Sequence, residues 1–305
     1  MRFVLRRLLG AIPSLIVVSI FIFTLQHLAP GDPTYLVTGP VVSDEVYQRT
    51  RMQLGLDEPL PVQYWTFLSN AFQGDLGTSL LSKRPTLDLI VERLPKTLAV
   101  SLGAMALSYV IGMTAGVIAA IKRGSVWDVL VMGIATLGMA VPGFWLGLML
   151  IMLFAVRLGW LPASGASTPG HFILPILALG FGEAASIARV IRSSMLEAMG
   201  GDYIRTARAK GLREQVVIVR HALRNALLPV TSILGMQIGF LLTGAVIVET
   251  VFGFPGLGRL LIDSILNKDF PVVQGVLLVI GLMIVIGNFF ADVIYRFVDP
   301  RIDFS

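Results

Sequence analysis

The sequence contains no cysteine, only three histidines and few recognisable catalytic motifs. Without cysteine the chain has no disulfide, thiolate metal site or cysteine nucleophile. His27, His171 and His221 lie near the ends of three different segments, and no pair has the HExxH spacing of a zinc site. The sequence also lacks a G-x-S-x-G nucleophile motif and a G-x-x-x-x-G-K-[ST] phosphate loop. These absences argue against an enzyme, against a bound cofactor or metal, and against ATP binding by this chain.

Charged residues are scarce as well. They make up 14% of the 305 residues, against about 25% in an average soluble domain, while 55% are hydrophobic. The mean hydropathy is +0.80. The pI of about 9.7 could suggest nucleic acid, but the basic residues cluster at the ends of apolar segments, as in membrane loops. We therefore expect a lipid bilayer, and no nucleic acid, as the partner of this chain.

Six apolar runs are long enough to cross a bilayer as helices, which takes about 20 residues. They cover residues 8–28, 94–121, 129–156, 172–188, 227–248 and 272–294. The first run is longer than the apolar core of a signal peptide, about 7–15 residues, and is predicted to be a retained span. The sequence thus predicts an all-α integral membrane protein with six transmembrane helices.

Lysine and arginine counts predict the orientation. With the N-terminus inside, the inner segments carry fifteen of these residues and the short outer loops carry three. Cytoplasmic loops are the positively charged ones. Both termini are therefore predicted to lie in the cytoplasm.

Three regions follow from this topology: residues 1–29 with the first span, an outer segment 30–94, and a core 95–305 with a cytoplasmic loop at 189–228. The outer segment is rich in leucine and aromatic residues spaced by prolines, and Asp44 and Glu45 suit the first turn of a helix. We expect a small helical lobe there.

Pairs of glycines four residues apart occur in three of the spans. They are Gly112 with Gly116, Gly143 with Gly147, and Gly235 with Gly239. Such pairs allow close helix approach, either within one bundle or against a partner subunit. Pro142 and Pro175 are expected to kink their helices or to mark their ends.

Glu183 is the most prominent charge inside a span, which makes it a functional candidate by default. It could line a transport pathway or pair with Arg189 or Arg192. Asp292 lies four residues before Arg296 and is expected to pair with it. Further candidates for the pathway are Gln237, Thr243 and Glu249, of which the first two suit helix–helix hydrogen bonds equally well. An ion-coupled carrier would normally carry more buried acids and bases than this.

The stretch DYIRTARAKG (202–211) is small and basic. As a helix it would place Ile204, Ala207 and Gly211 on one face and Arg205 and Arg208 on another. The small face could enter a groove of another protein while the arginines meet carboxylates. The alternative is a positive loop lying on anionic lipid.

The segment YIRTARAKGLREQVVIVRHALRNALLPV (203–230) resembles the cytoplasmic coupling loop of permeases in ATP-binding-cassette (ABC) importers. It is most similar to the branch that transports dipeptides, oligopeptides, glutathione or nickel. RRLLGAIPSLIVVSIFIFTLQHLAPGDP (6–33), LGLDEPLPVQYW (from 54), IVETVFGFPGLGRLL (247–261) and VDPRI (298–302) resemble the same branch. The wider superfamily has an EAA triplet where this chain has Arg205, Thr206 and Ala207, and the peptide branch shares this departure.

The resemblance implies the type I importer fold, with the outer lobe between helices 1 and 2 that is typical of the first permease subunit. It implies four kinds of partner: a second, homologous permease, two ABC ATPases that bind the ATP, an extracytoplasmic substrate-binding protein and the bilayer of a prokaryotic inner membrane. The residues it assigns to ATPase coupling are Tyr203, Ile204, Arg205, Thr206, Ala207, Arg208, Ala209, Lys210 and Gly211. The implied mechanism is alternating access, without catalysis by this chain.

The residues leave other functions open. A secondary transporter or channel that works alone is the main alternative, and a structural or assembly protein of the membrane is another. Within the family, di- or oligopeptides are the expected substrates, with glutathione and nickel chelates as alternatives. In the expected FGFPGLG loop (252–258), the turn is either re-entrant near the gate or an ordinary connection before a helix.

Overall fold

The computed structural model describes residues 2–28, 33–39, 42–53 and 55–298 of the protein, and it is helical nearly throughout these ranges. Its α-helices are α1 (Arg2–Leu28), α2 (Pro33–Thr38), α3 (Asp44–Gln53), α4 (Leu60–Phe72), α5 (Thr86–Ile121), α6 (Val126–Ala140), α7 (Gly143–Leu150), α8 (Gly170–Gly200), α9 (Asp202–Ala209), α10 (Glu214–Val216), α11 (Arg224–Ala226), α12 (Leu228–Val251), α13 (Leu257–Leu266) and α14 (Phe270–Val298). Two π-helical segments, Ile151–Arg157 and Val217–Leu223, follow α7 and α10.

Each of the six predicted spans coincides with an apolar helix. Helices α5, α8 and α14 are long and apolar enough to cross a membrane, and α6 with α7 and its π-helical extension qualifies as one bent span. Two shorter apolar stretches, Ile12–Leu25 and Met236–Val251, lie in α1 and α12. The fold class is confirmed: the chain is an all-α membrane protein.

The third predicted span is broken rather than continuous. Its two halves are bent by 104° at residues 141–142. Proline has no N–H to continue the helix and disfavours helical geometry in the residue before it. Val141 is accordingly extended, with φ −80° and ψ 122°. The predicted role of Pro142 as a helix end is confirmed, whereas α8 runs through Pro175.

The segment between the first two spans forms helices α2, α3 and α4, as predicted. Helix α4 packs on α1: the hydroxyl groups of Ser19 and Tyr64 share a hydrogen bond of 2.8 Å, and Tyr64 stacks edge-on against Phe23. The position of α4 is therefore fixed by side chains in the C-terminal half of the first span.

The chain divides into two compact units. One contains residues 1–97 and 255–285. Its core is formed by Leu89 and Ile90 of α5, by leucines of α13 and by valines of α14. The buried Asp269 carboxylate, just before α14, accepts hydrogen bonds from the Ser79 hydroxyl at 2.5 Å and from the Leu80 amide at 2.9 Å. These contacts hold the turn before α5 against the start of α14.

The other unit contains residues 98–254 and 286–305. Helix α8 lies at its centre and packs against α6, α7 and α12. Gly112 and Gly116 of α5 face α8 so closely that an added Cβ would lie 2.6 Å from the carbonyl oxygen of Ala184 or of Ala188. This glycine pair therefore serves packing within the chain. Gly147 likewise faces Phe252, whereas Gly235 lies among residues whose side-chain surroundings are not described.

The FGFPGLG segment is a short connection from α12 to α13. Phe252 and Phe254 at its start are buried in the core of the second unit, where Phe254 stacks edge-on against Phe172. The segment is thus anchored by aromatic side chains and leads directly into α13.

Candidate functional site

Helix α8 carries the chain beyond the predicted fourth span. The apolar run ends near Ala188, but the helix continues to Gly200 because Ile191, Met195 and Ala198 form a buried stripe at helical spacing. The first part of the expected cytoplasmic loop at 189–228 is therefore a helix. Gly201 then breaks it with an extended conformation, and α9 starts at Asp202.

Helix α9 is the expected coupling helix, and it ends at Ala209, two residues earlier than predicted. Ile204 and Ala207 are 0% and 5% exposed, and both belong to a core with Met195, Val217 and Ala222. The predicted use of the small face is therefore wrong for these two residues: they pack inside this subunit and are not available to a groove on another protein, whereas Gly211, the third residue of that face, is exposed. A helix this short stays folded because such a face is buried against its own chain.

The opposite face of α9 is exposed and basic. It presents Tyr203, Arg205, Thr206, Arg208, Ala209, Lys210 and Gly211. The Arg205 side chain is 79% exposed and forms a loose ion pair, 3.4 Å, with Asp202 at the start of the same helix. The surface that a partner could contact thus contains the Tyr203 ring, exposed backbone and three basic side chains, those of Arg205, Arg208 and Lys210. It is not a face of small residues.

The turn after α9 is fixed by an ion pair across it. Arg208 donates from Nε to Glu214 Oε2 at 3.1 Å and from its terminal nitrogen to Oε1 at 2.5 Å. This guanidinium lowers the pKa of the Glu214 carboxyl from its ordinary value. Gly211, inside the turn, has φ +75°, a conformation that glycine adopts without strain.

A second ion pair holds α8 itself. Arg192 donates from Nε to Asp128 Oδ1 at 2.6 Å and from its terminal nitrogen to Oδ2 at 2.8 Å. The Asp128 side chain is only 8% exposed, and its Oδ2 also accepts the amide N–H of Gly124 at 3.0 Å. The pair joins the turn between α5 and α6 to the helix that leads into α9. Arg192 is therefore not the partner of Glu183.

This ion pair was not predicted from the sequence. Its members are 64 residues apart, so no local spacing links them. The available signal was Asp128 itself, an acid at the start of an apolar helix. In a membrane protein such an acid usually pairs with another charged or polar group.

Glu183 lines a cleft of about 500 Å³ within the second unit. The cleft lies between the α6–α7 bend, the middle of α8 and the C-terminal half of α12. Its walls are apolar side chains, including Met139, Phe144 and Phe240, and backbone at four glycines. A transported solute could enter such a cleft, and this agrees with a pathway role for Glu183.

Of the other predicted pathway residues, Gln237 lies directly behind Glu183. It is buried, and its Nε2 donates to Glu183 Oε2 at 2.8 Å. Thr243 is exposed and bonds to the Gly239 carbonyl oxygen of its own helix. Glu249 is completely buried and is not among the residues that line the cleft. The structure therefore brings together Glu183 and Gln237 but neither Thr243 nor Glu249, while the predicted partner of Asp292, Arg296, has a side chain outside the described part.

Among the residues that the structure describes, no group of three or more histidine, aspartate or glutamate side chains is placed to hold a metal ion.

Two family models match nearly the whole chain. Residues 112–304 match the binding-protein-dependent transport system inner membrane component. Residues 1–101 match the N-terminal model of the membrane component of the same systems. The chain is also 46% identical, over 305 residues and the full length of both proteins, to the glutathione transport system permease protein GsiC of Escherichia coli (strain K12) and of Shigella dysenteriae serotype 1.

Solved structures show the same fold. An inward-facing structure of the MetNI methionine ABC transporter matches 69% of this chain and 96% of its own chain, with a TM-score of 0.56 and 22% identity. A second crystal form of that transporter gives a TM-score of 0.58. The apolar helices, the helix α9 at the end of α8 and these matches lead to one conclusion: the chain belongs to the family of inner-membrane components of binding-protein-dependent transport systems, and it is a permease subunit of an ABC importer.

Proposed function

We propose that this permease forms half of the pathway of an ATP-driven importer of small peptides, with glutathione as its substrate. The observation that carries the proposal is 46% identity over the whole chain to permeases of glutathione transport systems. The cleft beside Glu183 supports it, because its volume of about 500 Å³ suits a solute of a few residues.

The proposed partners are a second, homologous permease, two ABC ATPases and an extracytoplasmic binding protein. This chain itself carries out no catalysis and binds no cofactor; the ATPases bind and hydrolyse ATP. The proposed location is the inner membrane of a prokaryote, with both termini in the cytoplasm.

The proposed coupling surface is the exposed face of α9 and the turn after it, residues 203–211 apart from the buried Ile204 and Ala207. Closure of the ATPases on ATP would move α9. Because α9 shares a core with α8, the displacement would pass into the helix that lines the cleft. ATP must favour one packing of the spans over the other for this to drive alternating access.

Reconstitution tests the function. The complete importer in proteoliposomes is expected to accumulate radiolabelled glutathione when ATP is enclosed with the ATPases. Unlabelled glutathione should compete fully, whereas a dipeptide or a nickel chelate in the same excess should compete weakly.

The controls separate the alternatives. Vesicles with this chain alone, or with both permeases but no ATPases, should accumulate no label. Accumulation by the chain alone would support a secondary transporter or channel instead. Strong competition by dipeptides but weak competition by glutathione would indicate that the substrate is a dipeptide, as for other members of the branch.

A further inference from the structure

We propose that Glu183 receives the ammonium group of the peptide as it passes through the cleft, so that the permease itself recognises a free amino group. This inference rests on the proposed peptide-import function and specifies the chemistry of one point on its pathway.

The cleft offers a single charge. Among the described residues that line it, Glu183 is the only ionisable one, and Ser186 is the only other polar side chain. The remaining walls are apolar side chains, proline and glycine. A carboxylate in such surroundings interacts with an opposite charge much more strongly than it would in water. The cleft therefore attracts cationic groups and repels carboxylates.

The Glu183 carboxylate is held in place by a hydrogen bond from α12. Gln237 donates its amide N–H to Oε2 at 2.8 Å from the buried side of α12, which fixes the direction of the Glu183 side chain. The Gln237 Oε1 atom and the Tyr109 hydroxyl are buried, and neither has a hydrogen-bond partner in the described part of the chain. The Glu183 carboxylate itself faces the cleft and has lone pairs that the Gln237 bond does not use, so it can accept further hydrogen bonds.

An ammonium group complements this arrangement. It carries a positive charge and three N–H donors and accepts nothing. A peptide has one such group at its amino terminus, together with carboxylates that the cleft does not pair. A divalent metal ion fits less well, because it needs several oxygen or nitrogen ligands and the described lining supplies one carboxylate. The geometry therefore also orients the solute, with its amino terminus towards α8.

The competing explanation is structural. The Glu183–Gln237 hydrogen bond could serve only to tie α8 to α12, since polar pairs commonly join transmembrane helices. Glu183→Gln distinguishes the two, because the amide keeps the size and the acceptor oxygen for Gln237 but removes the charge. Glu197→Gln is the matched control: it makes the same substitution on an exposed position of the same helix, outside the cleft.

The experiment measures binding to the complex of both permeases and both ATPases in nanodiscs. The binding protein is left out, so that its own preference plays no part. The probes are radiolabelled glutathione and dialanine, each with its N-acetylated form. Glu183→Gln is expected to weaken binding of both free-amine probes by about tenfold, which corresponds to about 1.4 kcal/mol, and to leave the acetylated probes unchanged. Glu197→Gln should bind all four as the wild type does.

Three results would overturn the proposal: equal binding of the free-amine probes by Glu183→Gln and wild type, an equal loss for free and acetylated probes, or no binding of either free-amine probe to the wild type. None of them affects the uptake assay of the complete importer, which tests the proposed function separately. The dialanine pair keeps the test valid if the imported peptide is not glutathione.

Discussion

The Asp128 carboxylate and the Arg192 guanidinium meet through two hydrogen bonds of 2.6 and 2.8 Å, across 64 residues of sequence. Paired geometry of this kind combines charge with directional specificity. It fixes the position of α8 just before the part of that helix that leads into α9.

Removing either charge should therefore impair import. We expect D128N and R192Q each to lower ATP-dependent uptake and the thermal midpoint of the purified complex, because each leaves the other charge without its partner. The double variant should be no worse than the more damaged single variant. Uptake and thermal unfolding of the three variants check this. E92Q is the control, since it removes an exposed pair with Arg84 of a kind that contributes little; fully additive losses would contradict the prediction.

The glycines of α5 provide a second prediction. G112A and G116A should each destabilise the complex by about 1–3 kcal/mol, the usual cost of overpacking, because the new methyl group would meet backbone oxygen of α8. Thermal unfolding in detergent measures the effect. G133A, where no atom lies within 4 Å of the added methyl group, should be at least as stable as the wild type, because alanine favours a helix interior over glycine by about 0.5–1 kcal/mol; if all three variants behave alike, the close approach of α5 and α8 is refuted.

The two faces of α9 should respond differently to substitution. A207L places a larger side chain in the chain's own core and should lower stability by about 1–3 kcal/mol. R205E alters a side chain that is 79% exposed, so it should leave the thermal midpoint unchanged while abolishing most uptake. Measurements of unfolding, ATP hydrolysis and uptake on the same preparations separate these effects. Wild-type uptake by R205E would exclude this face as the coupling surface.

The turn after α9 should depend on pH through Glu214. Its pKa is lowered by Arg208, so the ion pair contributes its full effect above the ordinary glutamate value of about 4.3 and is lost as the pH falls through the lowered pKa. At neutral pH, E214Q should show faster amide exchange than the wild type around Gly211, and the two proteins should converge well below pH 4.3. A constant difference at every pH would show that the charge of Glu214 is irrelevant.

The sequence predicted the helices well because long apolar runs have few alternatives in a bilayer. The bend at Pro142 was also predictable, since proline acts on its own neighbours. The extent of α8 was not predicted from its apolar run, although the stripe formed by Ile191, Met195 and Ala198 contains that information as helical periodicity.

Other features depend on contacts between distant segments. Spacing places Ile204 and Ala207 on one face of α9, but it does not tell whether that face is covered by the same chain or by another. Glu183 was identified as an acid inside a span, whereas its partner could have been any of several polar residues. Long-range packing decides these cases, and sequence spacing carries little information about it.

Helix α8 has 31 residues, which at 1.5 Å per residue is about 46 Å, while the hydrocarbon layer is about 30 Å thick. The helix is therefore longer than the layer it crosses, and α9 follows one of its ends. A tilt of about 10° about the Gly170 end would shift the α9 end by about 8 Å, and residues near the middle of α8 by about 4 Å, at this length. Such a tilt would therefore displace α9 together with the residues of α8 that line the cleft.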